Sequence, residues 1–381
     1  GMGRDIGLQW PDILRQMDQG ADYLETQFAA HAYVPFRTSW ERAWRDAAEK
    51  IIVSDPLLTI FGQVMHGSVM YDLAERFNLR PRAVIGYSLG ESAGLFASRA
   101  WTDRERMLSR MLQSDLFKTE LSGPCNSIKK AWKIPQDHTF VWKVAVVNSP
   151  AKKVTFVVKS NEYARLLIVN SPSECVIGGE KEAIKAMIKT LGCDAVYLDG
   201  VVTVHCDAAL PVAEAYRALH VLPVNPPKDM TFYSCAWGKS YPISSKKTAD
   251  SILAQATQGF DFTRTIEQAY ADGVRVFLEM GPYSSCTRMI KTILKDRPHV
   301  AVSASGRGED EVFTFLKCLG RLISERVPVD LTPLYDESAF PLDLLQHIQV
   351  RDNAAGGKTA DAFRLNKSVG RPIPEPLLLR H

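Results

Sequence analysis

The sequence lacks the features that mark several classes of protein. It contains no run of about eighteen uncharged apolar residues and opens with no basic segment followed by an apolar one, so we expect neither a membrane span nor a signal peptide. It has no glycine loop of the dinucleotide-binding type and no metal-ligand spacing of cysteine and histidine, so we expect no metal and no bound cofactor. The expected compartment is the cytoplasm.

An excess of charge of one sign is also missing. The 46 lysine and arginine residues and 43 aspartate and glutamate residues are well mixed, and the formal net charge of +3 gives no basic stripe that would favour nucleic-acid binding. The seven cysteines are widely spaced without a CxxC pair, a pattern typical of buried thiols without disulfides. With 381 residues, 46% of them hydrophobic, the chain is long enough for one large domain, alone or with a smaller one.

The period of the apolar pattern changes along the chain. Apolar residues recur at three- and four-residue steps over 55–79, which predicts a helix, and 83–85 is a short buried strand followed by a turn and a helix over 91–97. Helix, strand, sharp turn and helix in this order indicate α/β architecture. Further along, the pattern predicts helices over 209–219 and 262–271 and a buried strand over 274–279.

A second cluster of short strand-like runs lies in the middle of the chain. One clear helix over 181–191 interrupts them, which is typical of a small α+β subdomain inserted in a larger one. We therefore expect a discontinuous large subdomain over 1–135 and 206–315, a small subdomain over 136–205, and a linker over 316–381. The strand-like runs are 140–147, 154–158, 166–169, 175–177 and 195–198.

The segment Gly86-Tyr87-Ser88-Leu89-Gly90 fits the pattern G-x-S-x-G. A serine at the tip of a tight strand-to-helix turn has a strained backbone, and glycines two residues before and after it avoid clashes there. Ser88 is therefore the candidate nucleophile. The backbone N–H of Leu89, at the start of the next helix, is the candidate donor to a developing oxyanion. The alternative interpretation is a glycine-rich structural turn.

With Glu91 added, this segment resembles the GHSxGE motif of the malonyl/acyl-CoA:acyl-carrier-protein transacylase family. Other segments resemble further landmarks of that family, and the resemblance covers roughly residues 1 to 335. The amino-acid sequence around Ser88 is most similar to that of acyltransferase domains of large iterative polyunsaturated-fatty-acid and polyketide synthases. The other segments are Gly1-Met2-Gly3-Arg4-Asp5, Leu167-Ile168-Val169-Asn170-Ser171-Pro172, Val204-His205-Cys206, Glu279-Met280-Gly281-Pro282 and Val327-Pro328-Val329-Asp330.

The resemblance implies an α/β-hydrolase-like large subdomain that carries Ser88 and His205, with an inserted ferredoxin-like small α+β subdomain. It also implies that His205 is the base, that the backbone carbonyl of Gln255 fixes its tautomer, and that acyl-CoA and a phosphopantetheinyl carrier are the substrates. The implied partners are an acyl-carrier-protein domain and neighbouring synthase domains. Taken alone, a histidine between apolar residues is more often a core residue, but the motif and spacing favour the base.

The sequence departs from the family at the acyl site. Members that carry malonyl groups have an arginine 25 residues after the serine, where this chain has Gln113. A neutral amide pairs poorly with a substrate carboxylate in a closed pocket, so we expect an uncharged acyl group. Arg110, one helical turn earlier, keeps a malonyl-CoA transacylase open as an alternative, unless it is a solvated charge on the helix face.

Three more residues are candidates for substrate binding. Tyr87 replaces the histidine usual beside the nucleophile and either lines the acyl pocket or packs against the core. Val204 ends a segment that matches neither selectivity motif of the family, and Asn170 either bounds the acyl site or holds the turn before Pro172. The family's opening glutamine, which completes the oxyanion hole, has no counterpart in this sequence, and activity is expected to be poor if it is truly absent.

Three further functions stay open. A thioesterase would let water attack the acyl-serine and release a finished fatty acyl chain. A catalytically degenerate structural and carrier-docking module is motivated by Gln113 and the missing opening motif, although the intact Ser88 and His205 argue against it. An ordinary α/β-hydrolase esterase would use Asp296 and His299 as the later partners of the serine.

Overall fold

A computed structural model describes residues 3–14, 50–52 and 55–335 of the chain. The first part has helices α1 (Arg4–Gln9) and α2 (Pro56–Arg76), strand β1 (Ala83–Ile85), helices α3 (Gly90–Ala97) and α4 (Arg104–Gln113), a π-helical turn (Leu116–Glu120) and α5 (Asn126–Ala131). The middle part has β2 (Trp142–Val147), α6 (Ala151–Val158), β3 (Ala164–Ser171), β4 (Glu174–Glu180), α7 (Lys181–Leu191) and β5 (Ala195–Leu198). The last part has a 3₁₀ helix (Asp207–Val212), α8 (Ala213–Leu219), β6 (Thr231–Ser234), β7 (Lys239–Tyr241), α9 (Ser245–Gln258), β8 (Phe260–Asp261), α10 (Phe262–Ala271), β9 (Val276–Glu279), α11 (Ser285–Leu294), β10 (Val300–Ser303), α12 (Glu311–Ser324) and a 3₁₀ turn (Thr332–Leu334).

Local signals explain where the long helix α2 begins. The Asp55 carboxylate accepts hydrogen bonds from the backbone N–H groups of Leu57 and Leu58, at 2.8 and 3.4 Å, and Pro56 occupies the first helical turn. Every residue from 64 to 70 is buried, so the middle of the helix is enclosed on all sides, and the helix packs against α3. The helix expected over 55–79 is therefore confirmed.

The described part of the large subdomain contains two pairs of parallel strands. Strand β1 pairs in parallel with β6, which pairs antiparallel with β7, and β9 pairs in parallel with β10. Helices connect the parallel strands, as crossover connections require. The carboxyl end of β1 leads directly into the turn that carries Ser88, which places the candidate nucleophile at the edge where open α/β sheets bind ligands.

The small subdomain is ferredoxin-like. Its elements follow one another as βαββαβ, and its strands lie in the order β5-β2-β4-β3 with antiparallel pairing throughout. Strand β8, which comes from outside 136–205, adds a fifth strand in parallel beside β3. The inserted subdomain and the large subdomain are therefore joined through a shared sheet edge.

One strand prediction in this region was wrong. The run 154–158, expected to be a strand, belongs to helix α6, in which Val154 and Val157 are buried while Phe156 is 78% exposed. The spacing of three between the two buried valines suits a helix, and packing overrides the β propensity of these residues. The helix expected over 209–219 is a 3₁₀ helix containing Pro211 followed by the shorter α8.

The boundary expected at 316 was also wrong. Helix α12 runs across it and buries Phe315 and Leu319 in the large subdomain. The Phe315 ring lies edge-on to the rings of Trp10 and Phe77, with centroids 6.0 and 5.3 Å apart. The large subdomain therefore continues through α12. The rest of the expected linker, from residue 336 onward, lies outside the described residues.

The cysteines behave as the sequence predicts. All seven are free thiols, five of them buried and two half-buried. Within the described ranges, none of the helices combines the length and the apolar character needed to cross a lipid bilayer. The same part of the chain contains no group of three or more histidine, cysteine, aspartate or glutamate side chains arranged to hold a metal ion.

Candidate active site

The turn between β1 and α3 holds Ser88 in a strained conformation. Ser88 has φ of 53°, in the left-handed region that non-glycine residues rarely adopt. A Cβ atom at Gly86 would lie 2.1 Å from the backbone nitrogen of Glu91, so only glycine fits there. A Cβ atom at Gly90 would meet nothing within 4 Å, so the expected steric need for glycine holds at the first position and not at the second.

The structure brings Ser88 and His205 into hydrogen-bonding contact. Ser88 Oγ lies 2.8 Å from His205 Nε2, and His205 Nδ1 lies 2.8 Å from the backbone oxygen of Gln255. Because a carbonyl oxygen can only accept, Nδ1 of the neutral ring carries the proton and Nε2 is left as the acceptor for the Ser88 hydroxyl. This tautomer is the one that a base acting on Ser88 requires.

The backbone around His205 is tightly constrained. His205 has φ of 69°, and its N–H donates to the carbonyl of Ala256 at 2.6 Å. A Cβ atom at Gly259 would lie 2.8 Å from the His205 carbonyl oxygen, and the Phe260 ring packs edge-on against the imidazole at 5.4 Å. Burial lowers the pKa of His205 to about 4, so the ring is neutral at pH 7 and able to accept a proton.

The backbone N–H of Leu89 is free to act as a donor. Among the described residues it has no hydrogen-bond partner, whereas the next two N–H groups bond to the carbonyls of Tyr87 and Ser88. It stands immediately before α3, where the helix dipole favours negative charge. The geometry therefore places one unpaired donor beside the Ser88 hydroxyl.

Glu91, the last residue of the motif around Ser88, has a role that the sequence did not indicate. Its Oε1 accepts from the hydroxyl groups of Ser251 and Tyr241, at 2.5 and 3.0 Å. Its Oε2 accepts from the side-chain amide of Gln255 at 3.3 Å, and the same amide donates to the backbone oxygen of Ser88 at 3.3 Å. Burial raises the pKa of the Glu91 carboxyl to about 7. Glu91 therefore ties the nucleophile turn to α9, which supplies the carbonyl that orients His205.

Comparisons with known proteins match this architecture. No protein-family model matches the chain. One of the polyunsaturated fatty acid synthase proteins of Thraustochytrium sp. (strain ATCC 26185 / S-3) is 24% identical over 276 residues, covering 68% of this chain and 14% of that protein. The acyltransferase domain from the second module of the salinomycin polyketide synthase superposes with a TM-score of 0.67 at 18% identity, over 89% of this chain and 73% of that one. This chain has the acyltransferase fold.

A further match comes from a complex of a type II polyketide synthase acyl-carrier protein with its malonyl-transacylase, at a TM-score of 0.61 and 18% identity, covering 84% of this chain and 95% of that one. The resemblance to acyltransferases of synthases is confirmed by homology and by fold, and so is the α/β architecture with two subdomains. Since the chain covers only 14% of the Thraustochytrium synthase protein, the activity of that whole protein belongs to a much longer polypeptide.

In this acyltransferase fold, Tyr87 and Asn170 bind each other. The Tyr87 hydroxyl donates to Asn170 Oδ1 at 2.7 Å, and Asn170 Nδ2 donates to Glu174 at 2.8 Å. The Tyr87 ring packs edge-on against Phe260 and Phe262, with centroids 5.2 and 5.3 Å apart. Of the two interpretations of Tyr87, these contacts favour packing. Asn170 joins the small subdomain to the nucleophile turn, a role the sequence did not indicate.

The structure contradicts the expected placement of Gln113 in a closed pocket. Its side chain is exposed, and its amide donates to Ser109 Oγ on the same helix at 3.0 Å. Arg110 does not reach the dyad either, because its guanidinium donates to the carbonyls of Ala218, Leu219 and Val221 at 3.0 to 3.1 Å, at the carboxyl end of α8. It is therefore a C-terminal helix cap and not a solvated charge.

Val204, Asp296 and His299 are the remaining candidates from the sequence. Val204 is buried beside His205, with 7% of its surface exposed, in an apolar cluster of the large subdomain. The Asp296 side chain is 89% exposed, and His299 Nδ1 bonds to the backbone of Arg297 at 2.7 Å. Neither contacts Ser88, so nothing in this fold supports the esterase alternative with Asp296 and His299.

Proposed function

We propose that this chain is a serine-type acyltransferase, in which Ser88 carries the acyl group and His205 is the base. The observation that carries the proposal is the alignment of Ser88 Oγ, His205 and the Gln255 carbonyl through two contacts of 2.8 Å. A nucleophile, a base and a group that orients the base are the three parts that covalent acyl transfer needs.

The first half of the reaction forms the acyl-serine. His205 Nε2 takes the Ser88 proton while Oγ attacks the thioester carbonyl, and the oxyanion that forms is stabilised by the Leu89 N–H. When the intermediate collapses, the carbon–sulfur bond breaks and the protonated His205 returns the proton to the departing CoA or carrier thiolate. The neutral imidazole is then ready for the second half.

The second half delivers the acyl group to a carrier. The thiol of a phosphopantetheine arm gives its proton to His205 Nε2 and attacks the acyl-Ser88 carbonyl, and collapse restores the serine with the proton returned. The match to the complex of an acyl-carrier protein with its malonyl-transacylase, together with homology to a multidomain synthase, supports an acyl-carrier-protein domain and neighbouring synthase domains as partners. No resident cofactor takes part in this scheme, and we propose the cytoplasm as its compartment.

The acyl group proposed is uncharged. A transferase for malonyl groups needs a cation that pairs with the free carboxylate in the acyl site. Arg110 is committed to three backbone carbonyls and Gln113 is exposed and neutral, so neither supplies that cation.

Intact-protein mass spectrometry tests both parts of the proposal. The protein is mixed with acetyl-CoA, malonyl-CoA or a long-chain acyl-CoA, with Ser88→Ala as the control. We expect a mass gain from acetyl or long-chain groups that is absent in Ser88→Ala. Strong labelling by malonyl would identify a malonyl-CoA transacylase, and no labelling by these donors, or by the same acyl groups on a carrier protein, would favour the docking module.

A chase experiment separates transfer from hydrolysis. The acyl-Ser88 form is isolated and incubated with a holo carrier protein or with buffer alone, and loss of the acyl mass is followed over time. The proposal predicts transfer to the carrier at least about tenfold faster than loss to water, a difference of about 1.4 kcal/mol in barrier height. Equal rates with and without the carrier would identify a thioesterase.

A further inference from the structure

A groove of about 780 Å³ lies between α11 and α12 on the large subdomain. Strand β10 forms its floor through Ala301 and Val302, and the segment that follows β10 closes one end. The groove therefore runs along α11 from Ser284 to Lys295, with α12 as its other wall.

Both walls of the groove are cationic. Arg288 and Lys291 are three residues apart on α11 and share one face of that helix, and Lys295 follows directly after its end. Lys317 and Arg321, four residues apart on α12, face them from the other wall. Five like charges that converge on one groove repel one another unless an anion lies between them.

Acidic groups pair with three of the five cations and leave Lys291 and Lys317 without an ion pair among the described residues. Arg288 is paired with Glu174 at 2.7 Å and Arg321 with Glu325 at 2.5 Å, whereas Lys291 makes no ion pair with any described residue. Lys295 lies 4.0 Å from the exposed Asp296, and Lys317 stacks over the Phe313 ring at 4.4 Å. Glu309 is the one acid among the lining residues, and it accepts a hydrogen bond from Thr314 at 3.0 Å.

The groove is connected to the nucleophile turn by direct contacts. Arg288 donates both guanidinium nitrogens to Glu174, which accepts from Asn170, and Asn170 accepts from Tyr87, the neighbour of Ser88. One wall of the groove is therefore joined to the nucleophile turn through the side chains of Glu174, Asn170 and Tyr87.

We propose that this groove binds the phosphoryl groups of the thioester donor, with Lys291 and Lys317 as the principal contacts from the two walls. The proposal rests on the acyltransferase function, because acyl-CoA and the phosphopantetheine arm of a carrier share a phosphorylated end remote from the reacting thioester. Charge-assisted bonds to that end position the donor without taking part in the chemistry.

Binding of unacylated CoA tests the groove independently of acyl transfer. The dissociation constants of CoA and of pantetheine, which lacks the phosphoryl groups, are measured by calorimetry for the full chain and for the double variant Lys291→Glu/Lys317→Glu. We expect CoA to bind at least about tenfold more weakly to the variant, and pantetheine to bind both proteins equally, because only CoA carries the anionic groups. This result does not depend on whether Ser88 becomes acylated.

The matched control places the same charge change on another lysine-rich surface. Lys152 and Lys159 line a groove of about 620 Å³ on the small subdomain, so Lys152→Glu/Lys159→Glu alters net charge equally. An unchanged CoA affinity in this control, beside the loss in the first variant, supports the proposal. Equal losses in both variants would show a long-range effect of net charge and overturn it.

Kinetics distinguish the two sources of the phosphoryl group. The KM for acyl-CoA and the KM for a holo carrier are measured in the wild type and in Lys291→Glu/Lys317→Glu, with kcat as the internal reference. A rise in KM for acyl-CoA assigns the groove to CoA, and a rise for the carrier alone assigns it to the carrier-bound phosphodiester. If CoA affinity and both KM values are unchanged, the groove does not bind the donor, while Ser88 labelling still reports on acyl transfer.

Discussion

His205 Nδ1 lies 2.8 Å from the backbone carbonyl oxygen of Gln255, so a peptide group and not a carboxylate orients the imidazole. A carboxylate would stabilise the imidazolium and raise its pKa, whereas a neutral carbonyl adds little to offset burial. The pKa of His205 is accordingly lowered to about 4. Asp207, two residues away, is bound to Arg165 at 2.9 Å and so does not take the carboxylate role.

This relationship predicts the acid limb of the pH profile. Acylation of Ser88 requires the neutral imidazole, and protonation of Nε2 below pH 4 removes the acceptor for the serine proton. We expect the His205-dependent loss of acylation rate to be centred near pH 4 and not near the ordinary histidine value of 6.5. Rapid-quench measurement of acyl-Ser88 formation from pH 3.5 to 8 checks this, and a midpoint close to 6.5 would contradict it.

The raised pKa of Glu91 predicts that the stability of the fold decreases as pH rises. Its pKa is raised from 4.5 to about 7 in the folded chain, so between these values the folded state binds more protons than the unfolded state and stability falls as pH rises. Glu91→Gln removes this loss. The free energy of unfolding of the variant should therefore gain on the wild type by up to about 1.4 kcal/mol per pH unit across that window.

Urea unfolding at pH 5, 6, 7 and 8 measures the difference between Glu91→Gln and the wild type. Glu182→Gln is the control, because Glu182 is an exposed acid and its pKa is lowered by Lys185. Its difference from the wild type should show no gain with rising pH. A Glu91→Gln curve parallel to that of the wild type would show that Glu91 is ionised at neutral pH.

The nucleophile turn predicts unequal effects of two glycine substitutions. Gly86→Ala places a Cβ atom 2.1 Å from the Glu91 backbone nitrogen and should destabilise the fold by at least about 1–3 kcal/mol. Gly90→Ala meets no atom within 4 Å and should change stability by about 1 kcal/mol or less, in the stabilising direction. Chemical denaturation of both variants measures the difference, and equal destabilisation would refute the steric explanation.

The position of Gln113 predicts that it does not select the acyl group. Gln113→Ala should leave the ratio of acetyl to malonyl labelling within about twofold, since exposed substitutions usually change free energies by under about 0.5 kcal/mol. Mass spectrometry of the labelled protein measures this ratio, and a strong shift towards malonyl in Gln113→Ala would place this side chain in the acyl site.

The contacts of Arg110 predict an effect on stability. Arg110→Ala should lower the free energy of unfolding by about 1.5–3 kcal/mol, because three carbonyls lose a charged donor. Urea unfolding of the variant and the wild type measures this difference.

The packing of α12 predicts a large effect of Phe315→Ala. The ring is fully buried against Trp10 and Phe77, so its removal should lower the free energy of unfolding by about 3–5 kcal/mol. Phe313→Ala on the same helix is the control, because that ring is 53% exposed and its loss should have little effect. A chain that ends at residue 315 should fail to fold, whereas one that ends at 335 keeps every described element.

Several elements of the fold could be predicted because their signals are local. Helices over 181–191 and 262–271 have the bounds that the apolar spacing indicates, and each is capped by the acidic side chain just before it, Glu180 and Asp261. The turn around Ser88 is equally local, since the glycine pattern and the change of period lie within a few residues. The resemblance to the family then identified His205 as the base of Ser88. The two residues are 117 positions apart, and apolar spacing alone does not connect them.

What the sequence by itself determined was therefore the α/β architecture with its inserted subdomain, the turn that exposes Ser88 and the resemblance to acyltransferases of synthases. The tertiary structure alone decided that 154–158 is helical, that α12 belongs to the large subdomain and that Gln113 faces solvent. It also decided the partners of Glu91, because Tyr241 and Ser251 lie 150 and 160 residues away. Apolar periodicity and helix caps depend on neighbouring residues, whereas the pairing of a buried carboxyl depends on which distant segments pack around it.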